Sequence, residues 1–388
     1  QAFHRHGSSY PAAASQRNRY PGNRSAQGLD GRLFIMEVFL MKTSGTLLAT
    51  AAIFFLAALS ALAQKPMEYT LRFPAPETHY VEVEARVPVE NSDPIKLMMA
   101  VWTPGSYMLR EYAGQVDGVT AEASGQALAV EKVRKNRWRI GMPPGSRPEQ
   151  VTVRYRLWCR EMSVRTNWVE RDFALLNGAA TFLTLPPESG SVAAKRSHRV
   201  RVELPAEWRT VATGLVPAEE PNTWVAPDFD TLVDSPFLPG HPTVHSFQVN
   251  GKEHQLVNEG EGGAWDGPKS AADVHKIVEH FASMWGGLPY DRYLFLNVIT
   301  EAGGGLEHKN STVLMASRWA MATRKTYVKW LELAAHEYFH VWNVKRLRPV
   351  DLGPFDYENE VYTRSLWFAE GVTDYYGTIG VTRAGLST

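Results

Sequence analysis

The stretch LELAAHEYFH, residues 331–340, contains the arrangement H-E-x-x-H at His336, Glu337 and His340. On an α-helix, residues four apart lie on the same face, so the two imidazoles can bind one metal ion. Glu337 follows the first histidine, where its carboxylate can reach a water bound to that metal. The stretch therefore predicts a helix that carries two metal ligands and a general base.

The flanks of this stretch favour a long, buried helix. Thr323 or Thr326 can cap its start, no Pro or Gly occurs from Lys325 to Arg346, and Pro349 stops it. Apolar residues fall on almost every side, and burying imidazoles and a carboxylate among them is costly unless they are bound. Metal coordination supplies a reason for that cost. The alternative is a pair of core histidines beside a surface glutamate.

The overall composition excludes several classes of protein. The 388 residues contain 41 Lys plus Arg and 41 Asp plus Glu, so no net charge attracts nucleic acid or an anionic membrane. The single Cys159 rules out an internal disulfide and a cysteine-based zinc site. The length predicts two or three domains.

The first 63 residues are interpreted as two segments outside the folded protein. Residues 1–40 are rich in Arg, Ser, Gly and Pro, which predicts a disordered upstream extension, with Met41 as the true start. Residues 41–63 have a basic start, an apolar run and a small-x-small end, as secretory signal peptides do. A membrane anchor is the alternative, but the run is short for a span. We expect cleavage before Gln64, no stable membrane anchor afterwards, and a secreted or periplasmic protein.

The remaining sequence divides into a β-rich domain, residues 64–240, and an α+β domain, residues 241–388. In the first, apolar and polar residues alternate with a period of two between Pro and Gly breakers, which predicts a sandwich of antiparallel sheets. Its aromatic turn WTPGSY, residues 102–107, either packs on itself or faces the other domain. The second contains a helix at 270–285, a buried strand at 293–300, a glycine turn, the metal helix, and another helix around 365–376.

The last of these helices supplies a third ligand. A catalytic zinc ion has three protein ligands and one open position, whereas a structural ion has four. Glu370 lies in the apolar stretch LWFAEGVTD, where an unpaired carboxylate is costly, and Asp374 follows one turn later. We predict that Glu370 binds the metal and that Asp374 accepts a hydrogen bond from a ligating imidazole. An isolated surface glutamate is the alternative.

The glycine turn indicates a different chemistry. Gly303, Gly304 and Gly305 allow close approach of a ligand, and a strand edge there can pair with an extended peptide. A fixed carboxylate at Glu307 would bind the α-ammonium of that peptide and exclude longer chains, as in an aminopeptidase. His308 is a candidate for stabilising the oxyanion. A flexible loop is the alternative interpretation.

Several separated motifs together resemble one family. WTPGSY with a following Arg, GGLEH, HEYFH with VWN after it, and WFAEG look like the glycyl aminopeptidase family of gluzincin metallopeptidases, relatives of thermolysin. The resemblance runs from about Tyr69 to the last residue. It implies an N-terminal all-β, sandwich-like domain followed by a thermolysin-like catalytic domain, hence an α+β multidomain protein.

The resemblance also implies roles for individual residues. One zinc ion (Zn2+) per chain would be held by His336, His340 and Glu370, with Glu337 as general base. Glu307 would hold the free N-terminus of a peptide substrate, from which Gly or Ala is removed. The family's catalytic domain continues beyond its second zinc helix and usually carries a PDZ domain, so we expect this sequence to be incomplete at its C-terminus.

Three questions stay open at the level of sequence. Related enzymes use a tyrosine hydroxyl on the tetrahedral intermediate, and no tyrosine can be matched to that role. The tyrosines considered are Tyr357, Tyr362, Tyr375 and Tyr376. The protein could also be a zinc endopeptidase of the same fold, or a secreted β-rich binding protein with an inactive peptidase remnant.

Overall fold

The computed structural model describes residues 64–388 except 92, 143, 144, 146 and 187–195. The predicted upstream extension and signal peptide, residues 1–63, lie outside the described residues. Within the described ranges, no helix has both the length and the apolar character needed to cross a membrane. Residues Ala63–Thr388 form one compact unit, and the division at residues 240 and 241 stays a prediction.

Strands dominate the first two thirds of the described chain, and the longer helices follow. The strands are β1 (Met67–Arg72), β2 (Tyr80–Pro88), β3 (Ile95–Met98), β4 (Val116–Ala123), β5 (Gln126–Leu128), β6 (Val130–Arg134), β7 (Arg137–Ile140), β8 (Gln150–Trp158), β9 (Trp168–Val169), β10 (Ala174–Leu175), β11 (His198–Glu203), β12 (Thr210–Thr213), β13 (Val216–Pro217), β14 (Thr223–Ala226), β15 (Phe237–Gly240), β16 (Thr243–Val249), β17 (Lys252–Glu259), β18 (Arg292–Ile299), β19 (Gly304–Glu307) and β20 (Ser311–Ala316). The α-helices are α1 (Phe229–Val233), α2 (Gly267–Trp285), α3 (Arg324–Phe339) and α4 (Leu366–Arg383).

The β-rich part is built on an eight-stranded sheet in the order β13-β14-β11-β1-β2-β8-β4-β5. Strand β8 buries every second side chain, as its alternation predicts. A three-stranded sheet, β3-β7-β6, contributes side chains to the same core. The β-rich prediction is confirmed, with one departure: β1 pairs with β11 in parallel. Alternation determines which face of a strand is buried but not the direction of its neighbour.

The second part is a five-stranded sheet in the order β16-β17-β18-β20-β19, covered by α2 and α3. Strand β18 is buried almost throughout and has parallel neighbours on both sides, as a continuous apolar run favours. Strand β19, which contains the last two glycines of the turn, runs antiparallel to β20 at the edge of the sheet. The mixed α+β prediction is confirmed, and the glycine turn leads into an edge strand.

Helix α3 begins as predicted and ends earlier than predicted. The side chain of Thr323 accepts a hydrogen bond from the amide of Thr326 and caps the helix. The absence of Pro and Gly predicts that the helix continues to Arg346, just before Pro349. This prediction is wrong, because the helix ends at Phe339. Beyond it, the carbonyl of His340 accepts a hydrogen bond from the amide of Lys345, five residues on, at 3.0 Å. This wider turn follows two hydrogen bonds of three-residue spacing, from the amides of Val341 and Trp342, so the regular ladder changes after Phe339 without any Pro or Gly to mark it.

Helix α4 is longer than the predicted 365–376 and continues to Arg383. Two of its glycines, Gly377 and Gly380, are packing positions and do not end the helix. A Cβ at Gly377 would lie 3.0 Å from Cα of His336, and one at Gly380 would lie 2.5 Å from the ring of Phe281. These glycines therefore let α4 lie directly against α3 and α2.

Candidate metal and peptide-binding site

The three predicted metal ligands lie together at the contact of α3 and α4. Nε2 of His336 and Nε2 of His340 are 3.1 Å apart. Oε2 of Glu370 lies 3.5 Å from the first nitrogen and 3.6 Å from the second. A tetrahedral zinc ion with bonds of about 2.1 Å holds its ligands roughly 3.4 Å apart. Two imidazole nitrogens and one carboxylate oxygen at these separations fit such an ion.

The wide turn after α3 orients one of the ligands. Nδ1 of His340 lies 2.7 Å from the carbonyl oxygen of Asn343. A carbonyl only accepts hydrogen bonds, so this contact keeps the imidazole proton on Nδ1. The lone pair on Nε2 then faces His336 and Glu370, as a metal ligand requires. The unexpected end of the helix is thus what turns the Asn343 carbonyl back toward the imidazole.

Asn343 also holds the helix that carries Glu370. Its side-chain amide donates to the carbonyls of Phe368 and Ala369 at 3.3 and 3.2 Å, and to Oγ1 of Thr373 at 3.1 Å. One residue therefore fixes both an imidazole on α3 and the first turn of α4. Sequence reasoning missed this role, although the VWN that follows HEYFH contains the residue.

The surroundings of Glu370 differ from the expectation. Its side chain is 47% exposed, and the neighbouring Trp367 is 73% exposed, so the inference that Glu370 is buried among apolar residues is wrong. Helix α4 contacts α3 through small residues such as Thr373 and Gly377, and its aromatic face points to solvent. Asp374 is also exposed, with Oδ1 3.8 Å from Nδ1 of His336, longer than a hydrogen bond.

The predicted general base lies under the glycine turn. Glu337 is 5% exposed, and its Oε2 has no hydrogen-bond partner among the described residues. A Cβ at Gly305 would lie 2.1 Å from its Oε1, so only glycine lets β19 pass this close. Burial, and next the charge of Glu307, raise the pKa of Glu337 well above its usual range. A carboxyl group with a raised pKa is suited to accept and return a proton.

The predicted amine anchor lies next to this base. Glu307 is 3% exposed, and its Oε1 has no hydrogen-bond partner among the described residues. One carboxylate oxygen of Glu307, one of Glu337 and a ring nitrogen of His340 all lie within 4.8 Å of one another. Behind the anchor lies Gly105 of the β-rich part, where a Cβ would be 2.5 Å from Oε2 of Glu307.

The site carries an excess of negative charge. Burial alone would lower the pKa of His340, but the charge of Glu307 and the contact with Glu370 raise it to about 9. Burial alone would raise the pKa of Glu370, but the close contacts of its carboxylate with His336 and His340 lower it to about 2. Three carboxylates around two imidazoles create a field that a divalent cation would neutralise.

Two family models match the chain. Residues 68–241 match the peptidase M61 N-terminal domain, and residues 329–388 match the M61 glycyl aminopeptidase. The chain belongs to the M61 glycyl aminopeptidase family. The second match begins just before the HEYFH motif and includes α4, so it covers the three predicted metal ligands, His336, His340 and Glu370. The resemblance of the separated motifs to this family is confirmed.

A solved structure is similar to this M61 family member over most of its length. It is the crystal structure of an aminopeptidase N family protein from Idiomarina loihiensis, with 29% sequence identity and a TM-score of 0.74. The alignment covers 82% of this chain and 55% of that one, so the chain spans little more than half of its structural relative. No curated protein matches the chain.

His308 does not join the metal-ligand trio. Its Nδ1 lies 3.3 Å from Oδ1 of Asp234, which also accepts a hydrogen bond from Nζ of Lys345 at 2.6 Å. All three side chains are buried. Burial alone would raise the pKa of Asp234, but the charge of Lys345 lowers it far below its usual range. The cluster joins the β-rich part to the end of β19 and to the segment that follows α3. Nε2 of His308 is buried and has no hydrogen-bond partner among the described residues, so its predicted place at the oxyanion stays a prediction.

Among the described residues, none of the four tyrosines named from the sequence forms a hydrogen bond with His336, Glu337, His340 or Glu370. Tyr357 donates to Asp230, Tyr362 and Tyr375 are exposed, and Tyr376 stacks on Phe339. The tyrosine that sequence reasoning missed is Tyr107, which belongs to the turn WTPGSY and packs against the cluster of Val344, Leu352 and Ala369, the last of which precedes Glu370. The only signal for it was the aromatic character of that turn.

Proposed function

We propose that this protein is a zinc-dependent aminopeptidase that hydrolyses the bond after a small N-terminal residue, Gly or Ala. One observation carries the proposal: the Glu307 carboxylate lies within 4.8 Å of both Glu337 and His340. An α-ammonium held at Glu307 leaves room for a single residue before the bond beside the metal ligands. The anchor oxygen without a partner and the excess of negative charge both support a cationic group at this place.

In the proposed site, zinc is held by His336, His340 and Glu370. When bound, zinc supplies Lewis acidity and a water of lowered pKa. Glu337 accepts the proton of the attacking water and passes it to the leaving amine. Its burial favours the protonated form, so that it can keep the proton between the two transfers.

The edge of β19 binds the peptide in this proposal. A strand at the edge of a sheet offers main-chain N–H and C=O groups to an extended chain. The space beside Gly303 and Gly304 is open, since a Cβ at either position would meet nothing within 4 Å. Glu307 at the end of this strand sets the register by binding the substrate's α-ammonium.

The two alternative functions, an endopeptidase and an inactive peptidase remnant, require different surroundings of Glu307. An endopeptidase needs the groove to continue past Glu307, and Gly105 stands directly against that carboxylate. An inactive remnant would need no unpaired acidic groups, whereas Glu307 and Glu337 each bury an oxygen without a partner among the described residues. Both observations favour the aminopeptidase.

The test is hydrolysis of glycyl and alanyl arylamides beside the same compounds with an acetylated amine. We expect the free amines to be hydrolysed and the acetylated ones to be at least about 100-fold poorer in kcat/KM, since a buried unpaired charge costs several kcal/mol. Glu307→Gln should remove most of this preference and leave the zinc content unchanged. Equal hydrolysis of blocked and free substrates would favour the endopeptidase instead.

Export is part of the same proposal. The signal-peptide pattern of residues 41–63 supports a secreted or periplasmic enzyme that acts on peptides. A fusion of residues 41–63 to a periplasmic reporter should deliver the reporter outside the cytoplasm, and retention of the reporter would contradict this.

A further inference from the structure

We propose that Tyr107, supplied by the β-rich part, forms the wall of the pocket for the first substrate side chain and limits that side chain to a small size. The inference rests on the proposed aminopeptidase function and names the residue that sets its specificity. It concerns only the space between the amine anchor and the metal ligands.

The turn that carries Tyr107 lies against the amine anchor. Gly105 has a φ of +89°, in the left-handed region that favours glycine, and its Cα lies beside the Glu307 carboxylate. The hydrogen bond from the amide of Ser106 to the carbonyl of Thr103, at 3.0 Å, closes the turn. The backbone of this turn is therefore fixed at one end of the site.

The ring of Tyr107 reaches the other end of the site. It packs against a small apolar cluster of Val344, Leu352 and Ala369. Ala369 directly precedes the metal ligand Glu370, and Trp102 supports the ring from behind, with the centroids 5.8 Å apart. Tyr107 thus lies between the turn beside the anchor and an apolar cluster that includes the residue before Glu370.

The charges around the hydroxyl agree with this position. Burial, and then the charge of Glu307, raise the pKa of Tyr107, with a further contribution from the charge of Glu370. The Tyr107 hydroxyl is therefore within electrostatic range of both carboxylates, as a position beside the site requires.

The size limit follows from this arrangement. The α-ammonium is held at Glu307 and the first carbonyl lies at the metal ligands, so the Cα between them has little freedom to move. A hydrogen or a methyl group on that Cα fits beside the Tyr107 ring. A leucine side chain would have to displace a ring that packs on both sides, and overpacking of this kind is unfavourable.

The experiment compares kcat/KM for leucyl, alanyl and glycyl arylamides in the wild type and in variants of residue 107. Tyr107→Ala should raise the leucyl-to-glycyl ratio at least 10-fold, because it removes the wall. Tyr107→Phe keeps the ring and should leave this ratio within about twofold. Tyr107→Trp should lower the alanyl-to-glycyl ratio. The matched control is Tyr80→Ala on β2, a half-buried tyrosine of the β-rich part, which should leave both ratios unchanged.

The outcomes separate this inference from the proposed function. If the wild type hydrolyses glycyl arylamide but Tyr107→Ala keeps the wild-type leucyl-to-glycyl ratio, Tyr107 does not set the size limit. If Tyr107→Ala does not fold, Tyr107→Phe and Tyr107→Trp test the same size limit. Equal alanyl-to-glycyl ratios of kcat/KM in these two variants would also overturn the inference. Failure of the wild type on every free aminoacyl arylamide would instead overturn the aminopeptidase function.

Discussion

The backbone of Gly105 lies directly against the side chain of Glu307, so closely that a Cβ at Gly105 would be 2.5 Å from Oε2 and 2.6 Å from Oε1. Gly105 belongs to a turn of the β-rich part and Glu307 to the edge strand β19, and the two residues are far apart in the chain. The proposed amine anchor is therefore bounded by a turn of the β-rich part, and the candidate residues on β19 and α3 do not form the whole of the proposed site.

Gly105→Ala should displace that anchor. The new methyl group would collide with the carboxylate, and the left-handed backbone adds strain for any residue with a Cβ. We expect kcat/KM on glycyl arylamide to fall at least 10-fold, with bound zinc unchanged. Gly114→Ala is the matched control, because a Cβ there would meet nothing within 4 Å. Equal activity in the two variants would show that the contact has no role in binding the amine.

Glu337→Gln should separate metal binding from turnover. The amide has the same shape but cannot accept the water proton, so kcat should fall by roughly 10²- to 10⁴-fold. The zinc content should remain that of the wild type, because Glu337 is not one of the three proposed ligands. Glu332→Gln, on the outer side of the same helix, serves as control and should keep its activity. A Glu337→Gln enzyme with wild-type kcat would remove Glu337 from the mechanism.

Asp234→Asn should weaken the folded state. Asp234 and Lys345 are both 8% exposed and 2.6 Å apart, so the substitution leaves a buried ammonium without its counter-charge. Breaking a buried pair in this way costs about 3–5 kcal/mol of the free energy of unfolding. Asp291→Asn removes the partner of Lys252 on the surface and should have no measurable effect. Urea denaturation of both variants checks the prediction, and equal midpoints would contradict it.

His198 should make the protein sensitive to mild acid. Burial, and then the charge of Arg196, lower its pKa to about 4, below the value of about 6.5 in an unfolded chain. The neutral imidazole therefore stabilises the fold above pH 6.5, and this contribution is lost as the pH falls toward 4. Between pH 7.5 and 4.5 the free energy of unfolding of the wild type should fall by about 2 kcal/mol more than that of His198→Gln. Urea denaturation at each pH measures this difference, and free energies of unfolding that fall in parallel would argue against a lowered pKa at His198.

The parts of the site that depend on local geometry could be predicted from sequence. Helical spacing by itself places His336 and His340 on one face, and the position of Glu370 in the next apolar helix suggested the third ligand. The early end of α3 could not be predicted, because it depends on a change in the spacing of main-chain hydrogen bonds after Phe339 and not on a breaker residue. The apolar sequence around Glu370 predicts a buried carboxylate, whereas its side chain is partly exposed, since an apolar helix need not be buried on every side.

The contacts made across the two sheets could not be predicted at all. The aromatic turn WTPGSY is compatible with a place against the other domain, but its sequence does not indicate that Gly105 meets Glu307 or that Tyr107 packs on the cluster around Ala369. The contact of Nδ1 of His308 with Asp234 from the β-rich part could not be predicted either. Such pairings arise from tertiary packing between distant segments, on which periodicity and spacing carry no information.

The most direct measurement is the zinc content and zinc affinity of the purified wild type beside Glu370→Ala, with Glu337→Gln as the matched carboxylate control. We predict one tightly bound zinc ion per chain in the wild type and in Glu337→Gln, and at least a 100-fold weaker affinity in Glu370→Ala. Zinc that stays equally tight in Glu370→Ala, or a wild type that binds none, would contradict a metal centre made of His336, His340 and Glu370.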